Sequence, residues 1–564
     1  MTHLRTILML CLLALPVGAA NIYVTQSGGG TNISLAVLNQ WTNVSAGDTV
    51  DLIGTFTNQL TPTVDYPRSN PVRLDLSQAL FSKAFWGPTR YDAAIATPNG
   101  VYLGGYIFDG GIIEATANGY NLQYQTNCFG VFIGAGGNGI EIKNMTIRNL
   151  YTNVPYGPCP SLGVDFSNVG IDCGGPSVTN ILIHNNNLSG MLNGIQTSYG
   201  GPHSEVIDIY SNSVLHINQG ILWSASTTSG TITGFKIHDN IIDHFDTFEP
   251  TNSCGLWWHS DAIFNNNALL TCVTNYGMRI YNNYMGSHVI NSSGYINLTP
   301  SDLGSLPGLL VYNNIAVAGP GTVQLNTCFA SATRGATFAF NTVVSQNGGG
   351  VAFGVNPNNA TLIGNLIYGL PLLVNVQYDC YFFASNNLTI LQPTNDSTTI
   401  VCGNTTLGAT ADTNGWVKVI DPDGDGVGNR FIWFKQPSSF GMVYNYNCYW
   451  SSNWDATVLF GWNVPNATTY RRPMSLWHAN GNDLQSSTNQ VILNPDYSLA
   501  TNSPAGIGMV VSNLTSLGIT TYYNGAARSY PSDAGALPSG VYTAPVTNAP
   551  GLTFSQPITI IIRQ

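Results

Sequence analysis

A parallel β-helix, an all-β solenoid whose rungs stack along one axis, is the fold class this 564-residue sequence predicts. Three observations predict it. First, an apolar residue recurs three places before an asparagine: Ile183 before Asn186, Ile209 before Asn212, Ile237 before Asn240 and Ile280 before Asn283, then Val311 before Asn314, Phe338 before Asn341, Leu362 before Asn365 and Phe383 before Asn386. Second, successive asparagines lie 26, 28, 43, 31, 27, 24 and 21 residues apart, and a period in the twenties is what a solenoid needs for each repeat to cover its neighbour. Third, the segments beside each asparagine are short, β-branched and alternating, as in Val206 to Ile209 and Leu309 to Val311, which is strand patterning and not helix patterning. The asparagine suits a sharp bend because it tolerates left-handed backbone, and stacked asparagine amides bond from rung to rung.

The runs Ile237 to Ile242 and Ile280 to Met285 resemble rungs of the right-handed parallel β-helix, the pectin-lyase-like fold. The resemblance covers most of the chain beyond residue 20. It implies a fold and leaves function open, since that family holds polysaccharide lyases, glycoside hydrolases, phage tailspikes and adhesins.

Taken in order, residues 1–20 read as a secretory signal. His3 and Arg5 precede an apolar run from Ile7 to Leu15 that is too short to span a bilayer, and Val17 to Ala20 supplies small residues for cleavage. The expected destination is the extracellular space or cell surface, with no membrane span once the signal is removed. Composition agrees: 8% of residues are charged and the net charge is −11. Low charge suits rungs buried on both sides, and the lack of a basic patch argues against nucleic acid as a partner. Ten cysteines include Cys11 in the signal; the odd number beyond it leaves at least one thiol unpaired. Close spacing favours the pairs Cys254–Cys272, Cys380–Cys402 and Cys159–Cys173.

Residues 21–99 read as an N-terminal cap and irregular strands. Asn21 to Val24 is a strand, Ser34 to Trp41 has helical spacing, and Ala46 to Leu52 returns to strand. A helix there would cover an edge that otherwise recruits other chains, as in many β-helix proteins. Residues 100–400 carry the repeats, with Gly104 to Gly110 as the first regular rung.

The interval from Asn240 to Asn283 is the longest and holds the candidate site. It gathers Asp243 and Asp246, then Trp257, Trp258, His259 and Asp261 between Cys254 and Cys272, in a chain otherwise poor in charge. Aligning Gly170-Ile171, Gly194-Ile195, Gly220-Ile221 and Ala262-Ile263 as equivalent strand positions makes each isoleucine inward. The following Asp172, Gln196, Leu222 and Phe264 then point outward along one ribbon. Asp261 falls in a column with Asn193 and Gln219. Beside exposed Trp223, Trp257 and Trp258, such a column has the makings of a sugar-binding groove, because indoles stack on pyranose rings while amides and carboxylates hold hydroxyls. The alternative is that Trp257 and Trp258 pack the excursion onto the barrel and His259 caps a turn.

Glycoside hydrolysis needs two carboxyls. Asp261 with Asp246 or Asp243 supplies them, tuned by His259, and indoles next to Asp261 would raise its pKa towards that of a general acid. In this fold family a lyase base is usually Lys or Arg; Lys143, Lys236, Arg148 and Arg279 are the candidates, each readable as a solvated charge. A net acidic chain is poorly matched to a polyuronate, which tilts the reading towards hydrolase. A non-catalytic adhesin or glycan-binding module is the other class.

Residues 401–564 read as looser rungs and a wrapping tail. Asp421, Asp423 and Asp425 alternate before glycines, with Asn429 following, which resembles the start of a Ca²⁺ loop of secreted proteins. Ile432 stands where an EF-hand would close with Glu. The tail, from about Trp477 to Ala536, is expected to wrap the last rung. Oligomeric state leaves no mark on the sequence.

Overall fold

The computed structural model describes residues 19–117, 127–150, 168–174, 178–199, 203–225, 230–245, 261–267, 273–286, 288, 291–300, 308–318, 324–331, 336–345, 351–355 and 360–368, isolated strands between 373 and 472, and most of 491–540.

Three ribbons of parallel strands run the length of a β-helix. The first contains Asn138–Lys143, Thr179–His184, Ile207–Tyr210, Lys236–His238, Arg279–Tyr281 and Leu310–Tyr312, each paired in parallel with the next. The second is built from Thr146–Arg148, the start of Asn187–Tyr199 and of Ser213–Ala225, then Ile241–Phe245 and Tyr284–Met285. The third runs through Cys128–Ile133, Asn168–Gly174, the ends of the two long strands, Asp261–Asn267 and Asn291–Pro300.

Alternation sends every second side chain of a strand inwards, and in register these form columns. In the first ribbon Ile142, Ile183, Ile209, Ile237, Ile280 and Val311 are in register and buried. Ile171, Ile195, Ile221, Ile263 and Ile296 form the matching column of the third. Stacking like on like gives each aliphatic side chain close-packed partners above and below.

The predicted asparagine column is real, and every member is buried. Nδ2 of Asn186 donates to Oδ1 of Asn212 at 2.9 Å, and the same bond runs on through Asn240, Asn283, Asn314, Asn341 and Asn365 at 2.9–3.0 Å. Asn386 lies outside the described residues. The left-handed backbone, however, belongs to the residue before each ladder asparagine: Asn185, Ser211, Asp239, Asn282, Asn313 and even Phe340 have φ between 54 and 56°. The asparagine is therefore there for its amide and not for its backbone. Left-handed residues mark the other two bends as well, for example Gly190, His216 and His244 after the second ribbon, and Asn180, Val206 and Gly234 before the first.

At the N-terminus the helical stretch shrinks to one turn, Leu35–Leu38, with the Ser34 hydroxyl capping Val37 N–H. Residues 491–540 lie along the flank of the helix, with Val510 and Ile519 against Leu310, Tyr312 and Phe340, and Ala536 and Leu537 against Ile315 and Val344.

Candidate functional site

The outward face of the third ribbon carries two adjacent columns. One runs Phe129, Val169, Asn193, Gln219, Asp261; the other runs Phe132, Asp172, Gln196, Leu222, Phe264, Asn297. Both follow the alignment expected from the Gly-Ile steps. Glycine or alanine recurs beside the inward isoleucines for a steric reason: a Cβ on Gly170 would lie 2.6 Å from the Gly194 carbonyl, and one on Gly194 would meet the Gly220 carbonyl at 2.7 Å.

Burial is where expectation and structure part. Asp172 and Asp261 are both fully buried, while Leu222 and Phe264 are 7% exposed. Asp172 lies 3.6 Å from the half-exposed Arg90 Nη1 and accepts no hydrogen bond. Burial pushes its carboxyl up to about 6, against the opposing pull of Arg90. Arg90 packs over the Phe132 ring, and Tyr91 meets that ring edge-on. Only spatial proximity links Arg90 to Asp172, so nothing in the sequence announced it. Asn193 Nδ2 donates to Gln196 Oε1 at 3.2 Å, tying the two columns together.

Trp223 is not part of an exposed face. It is 1% exposed and packs inside the helix against Phe235, ring centroids 5.9 Å apart. The reason is parity: Ile221 points in and Leu222 out, so Trp223 points in, in register with Thr197. Cys173 follows the same rule. It is a buried free thiol, and burial raises its pKa; the expected Cys159–Cys173 disulfide is not formed. Asp246, Trp257, Trp258 and His259, the other two cysteine pairs, and Asp421, Asp423, Asp425 and Asn429 all lie outside the described residues, as do residues 1–18.

Asp243 and Asp261 belong to one rung. Asp243 is in register with Leu215, and Asp261 with Gln219, four positions along the same strand; that span is at most roughly 14 Å of chain. Asp172 is three rungs from Asp261, again roughly 14 Å at the usual strand spacing. The Asp243 carboxylate is held in place: Oδ1 accepts the backbone N–H of His244 at 2.7 Å and of His288 at 3.0 Å, and Oδ2 lies 2.9 Å from His288 Nδ1. His216, His244 and His288 stack beside it, with centroids 4.5 and 4.3 Å apart. Burial, together with the two neighbouring imidazoles, keeps the His244 pKa below the ordinary value despite Asp243.

The candidate lyase bases are engaged elsewhere. Lys143 bonds Glu141 at 2.6 Å, Arg148 pairs with Glu114 at 2.8 Å, and Lys236 reaches Asp208 at 3.5 Å, all on the first two ribbons. Arg279 lies on the first ribbon beside Tyr312. At the first bend His184, Tyr210, His238, Tyr281 and Tyr312 form a ring stack with centroids 4.5–5.1 Å apart. Burial of His238 disfavours its charge, but its bonds to Asp208 and Asp239 outweigh that and raise its pKa. Among the described residues no helix is long and apolar enough to cross a membrane.

No protein-family model matches this chain, and no curated protein matches it in sequence. Among solved structures it is similar to XylC in complex with xylose, at 10% identity over 92% of this chain and 99% of that one, with a TM-score of 0.39. It is also similar to pectate lyase Pel9A, at 12% identity over 66% and 76% of the two chains and a TM-score of 0.30. A third is DFA-IIIase from Arthrobacter chlorophenolicus A6 without its lid, at 9% identity over 68% and 96%, with a TM-score of 0.36. At such identities and scores the likenesses assign no activity.

Proposed function

We propose that this protein is a secreted β-helix that acts on a polysaccharide by hydrolysis, with Asp261 as one catalytic carboxyl, Asp246 or Asp243 as the other and His259 as a modulator. One observation carries the reading: the third ribbon bears Asn193, Gln219 and Asp261 on successive rungs, flanked by Gln196, Asp172 and Asn297. Of these, Gln196 and Gln219 are partly exposed and Asn193, Asp172, Asp261 and Asn297 are buried, so the two glutamines, on adjacent strands about 4.8 Å apart, are the groups placed to meet the hydroxyls of a polymer. Hydrolysis is preferred to elimination because Lys143, Lys236 and Arg148 are paired with acids on other ribbons. The same reading includes Ca²⁺ held by Asp421, Asp423, Asp425 and Asn429.

The test is a panel of polysaccharides incubated with the full-length protein, read for new reducing ends and for absorbance of unsaturated products. Hydrolysis predicts reducing ends without that absorbance, lost in Asp261→Asn with folding intact. Absorbance, or full activity in Asp261→Asn, would overturn the assignment. A second reading, a glycan-binding module without turnover, is favoured by the complete burial of Asp261. It predicts retention on one immobilised polysaccharide with no new ends.

A further inference from the structure

The second bend carries a cluster in which the hydrolase reading touches Asp243 alone and leaves both histidines without a role. Asp243, His244 and His288 each offer a ligand atom, and these atoms all lie within 4.8 Å of one another. His216 stacks on His244 from the rung below. The chain is shaped around the carboxylate: Gly286 stands opposite it, and a Cβ there would lie 2.1 Å from Asp243 Cγ. Two backbone N–H groups fix Oδ1, so Oδ2 is the oxygen presented to the imidazoles.

We infer that Asp243, His244 and His288 form a binding site for a divalent transition-metal ion of the zinc class, with water completing the shell. One carboxylate oxygen and two imidazole nitrogens are a donor set that zinc accepts and that calcium, which seeks oxygen, does not. Bonds of about 2.0–2.1 Å place the ligand atoms of a tetrahedral ion roughly 3.3 Å apart. Asp243 Oδ2 and His288 Nδ1 stand at 2.9 Å, close to that separation already. His244 must close the remaining gap. Its ring and that of His288 are nearly parallel, 6° apart, so their in-plane lone pairs do not yet converge and one ring has to turn. The side chain of His288 is 59% exposed, and that exposure gives the ion its way in. The ion clips the end of the strand Ile241–Phe245 to the segment one rung on. It would occupy Asp243, which leaves Asp246 as the second carboxyl of the proposed hydrolase; zinc uptake and turnover are read separately, so failure of one is distinguishable from failure of the other.

The experiment strips the full-length protein with chelator and titrates it with zinc chloride by calorimetry in calcium-containing buffer, so that acidic turns elsewhere are filled. Cobalt substitution then reports coordination in the visible spectrum. Expected are one zinc per chain and a four-coordinate cobalt spectrum. Affinity should fall by at least about tenfold in His288→Ala, a substitution at an exposed residue. His244→Asn provides a second variant, because asparagine tolerates the left-handed φ of 53° at that bend. His184→Ala, in the ring stack of the other bend, should bind as the parent does. Absence of zinc uptake would overturn the assignment, as would uptake unchanged in both His288→Ala and His244→Asn.

Discussion

Asn240 Nδ2 donates to Asn283 Oδ1 at 2.9 Å across 43 residues of chain, and Asn212 makes the same bond to Asn240 across only 28. The excursion between the second and third ribbons therefore leaves the ladder's geometry untouched. Each ladder amide also donates to the carbonyl of an inward residue; for Asn240 that is Ile209. Asn240→Ala would strand the Ile209 carbonyl, the Asn212 amide and the Asn212 backbone N–H. Each buried orphan costs about 1–3 kcal/mol, so a loss of at least about 2 kcal/mol is expected in denaturant unfolding. A loss below about 0.5 kcal/mol would mean that water replaces the amide and the ladder is not structural.

Ile237 is fully buried in the first-ribbon column between Ile209 and Ile280. Ile237→Asp would place a carboxylate among aliphatic side chains, at a cost of several kcal/mol against a usual margin of about 5–15 kcal/mol. The expected outcome is an unfolded or unsecreted chain, measured as yield in the culture medium. Normal yield and melting would refute the register.

These features were legible because one residue type at one spacing encodes them. The ladder, the inward isoleucines and the register of the third ribbon all follow from local patterns repeated along the chain. Burial of outward positions is a different matter. Asp172 and Gln196 occupy the same column, yet Asp172 lies fully buried beside Arg90, and that neighbour is 82 residues away by their numbers. The aromatic character of Trp223 suggests an exposed ring, but strand parity turns it inward. The stack of His216, His244 and His288 was missed because its members are separated by 28 and 44 residues and meet only when rungs are superposed.

Asp172 gives a pH-dependent prediction. Its folded carboxyl titrates near 6, above the value of about 3.9 usual for an unfolded chain. The folded state thus holds the proton more tightly, and stability falls as pH rises from about 4 to about 6. That difference corresponds to about 3 kcal/mol at neutral pH. Asp172→Asn abolishes the titration while losing the Arg90 pair, so the variant should be more stable than the parent at pH 7 by on the order of 1–3 kcal/mol. Its advantage should vanish below about pH 4. Equal stability at both pH values would show that Arg90 fully offsets burial.

Calcium yields a prediction for residues 421–429. Three alternating carboxylates repel one another unless a cation lies among them, and a bound ion stabilises by mass action. Chelator should lower the melting temperature of the parent protein, and Asp423→Asn should melt at the chelated value with or without calcium. Melting unaffected by chelator, with no calcium heat in titration, would remove the site.

Arg528 provides the last prediction, because it fastens the tail to the helix. Its guanidinium lies 3.7 Å from the Phe340 ring centroid and 3.8 Å from that of Tyr522. It donates to Asn313 Oδ1, Ser532 Oγ, Asp533 O and Gly535 O. Burial pulls its pKa down to about 10, which still leaves it charged at neutral pH. Phe340 and Asn313 belong to bends of the rungs, whereas the other partners belong to the tail. Arg528→Ala therefore removes contacts between two parts of the chain. Cation–π contacts and bonds to a charged donor of this kind are together worth about 3 kcal/mol or more. The expected result is undocking confined to 491–540, seen as protease cuts there and amide exchange at Val510 and Ser532, whose backbones bond each other. The ladder amides from Asn212 to Asn314 should stay protected. Arg528→Lys keeps the charge but loses the planar fork, so it should restore only part of the protection. Uniform loss of protection along the ladder in Arg528→Ala would instead mean that the tail and the rungs unfold as one unit.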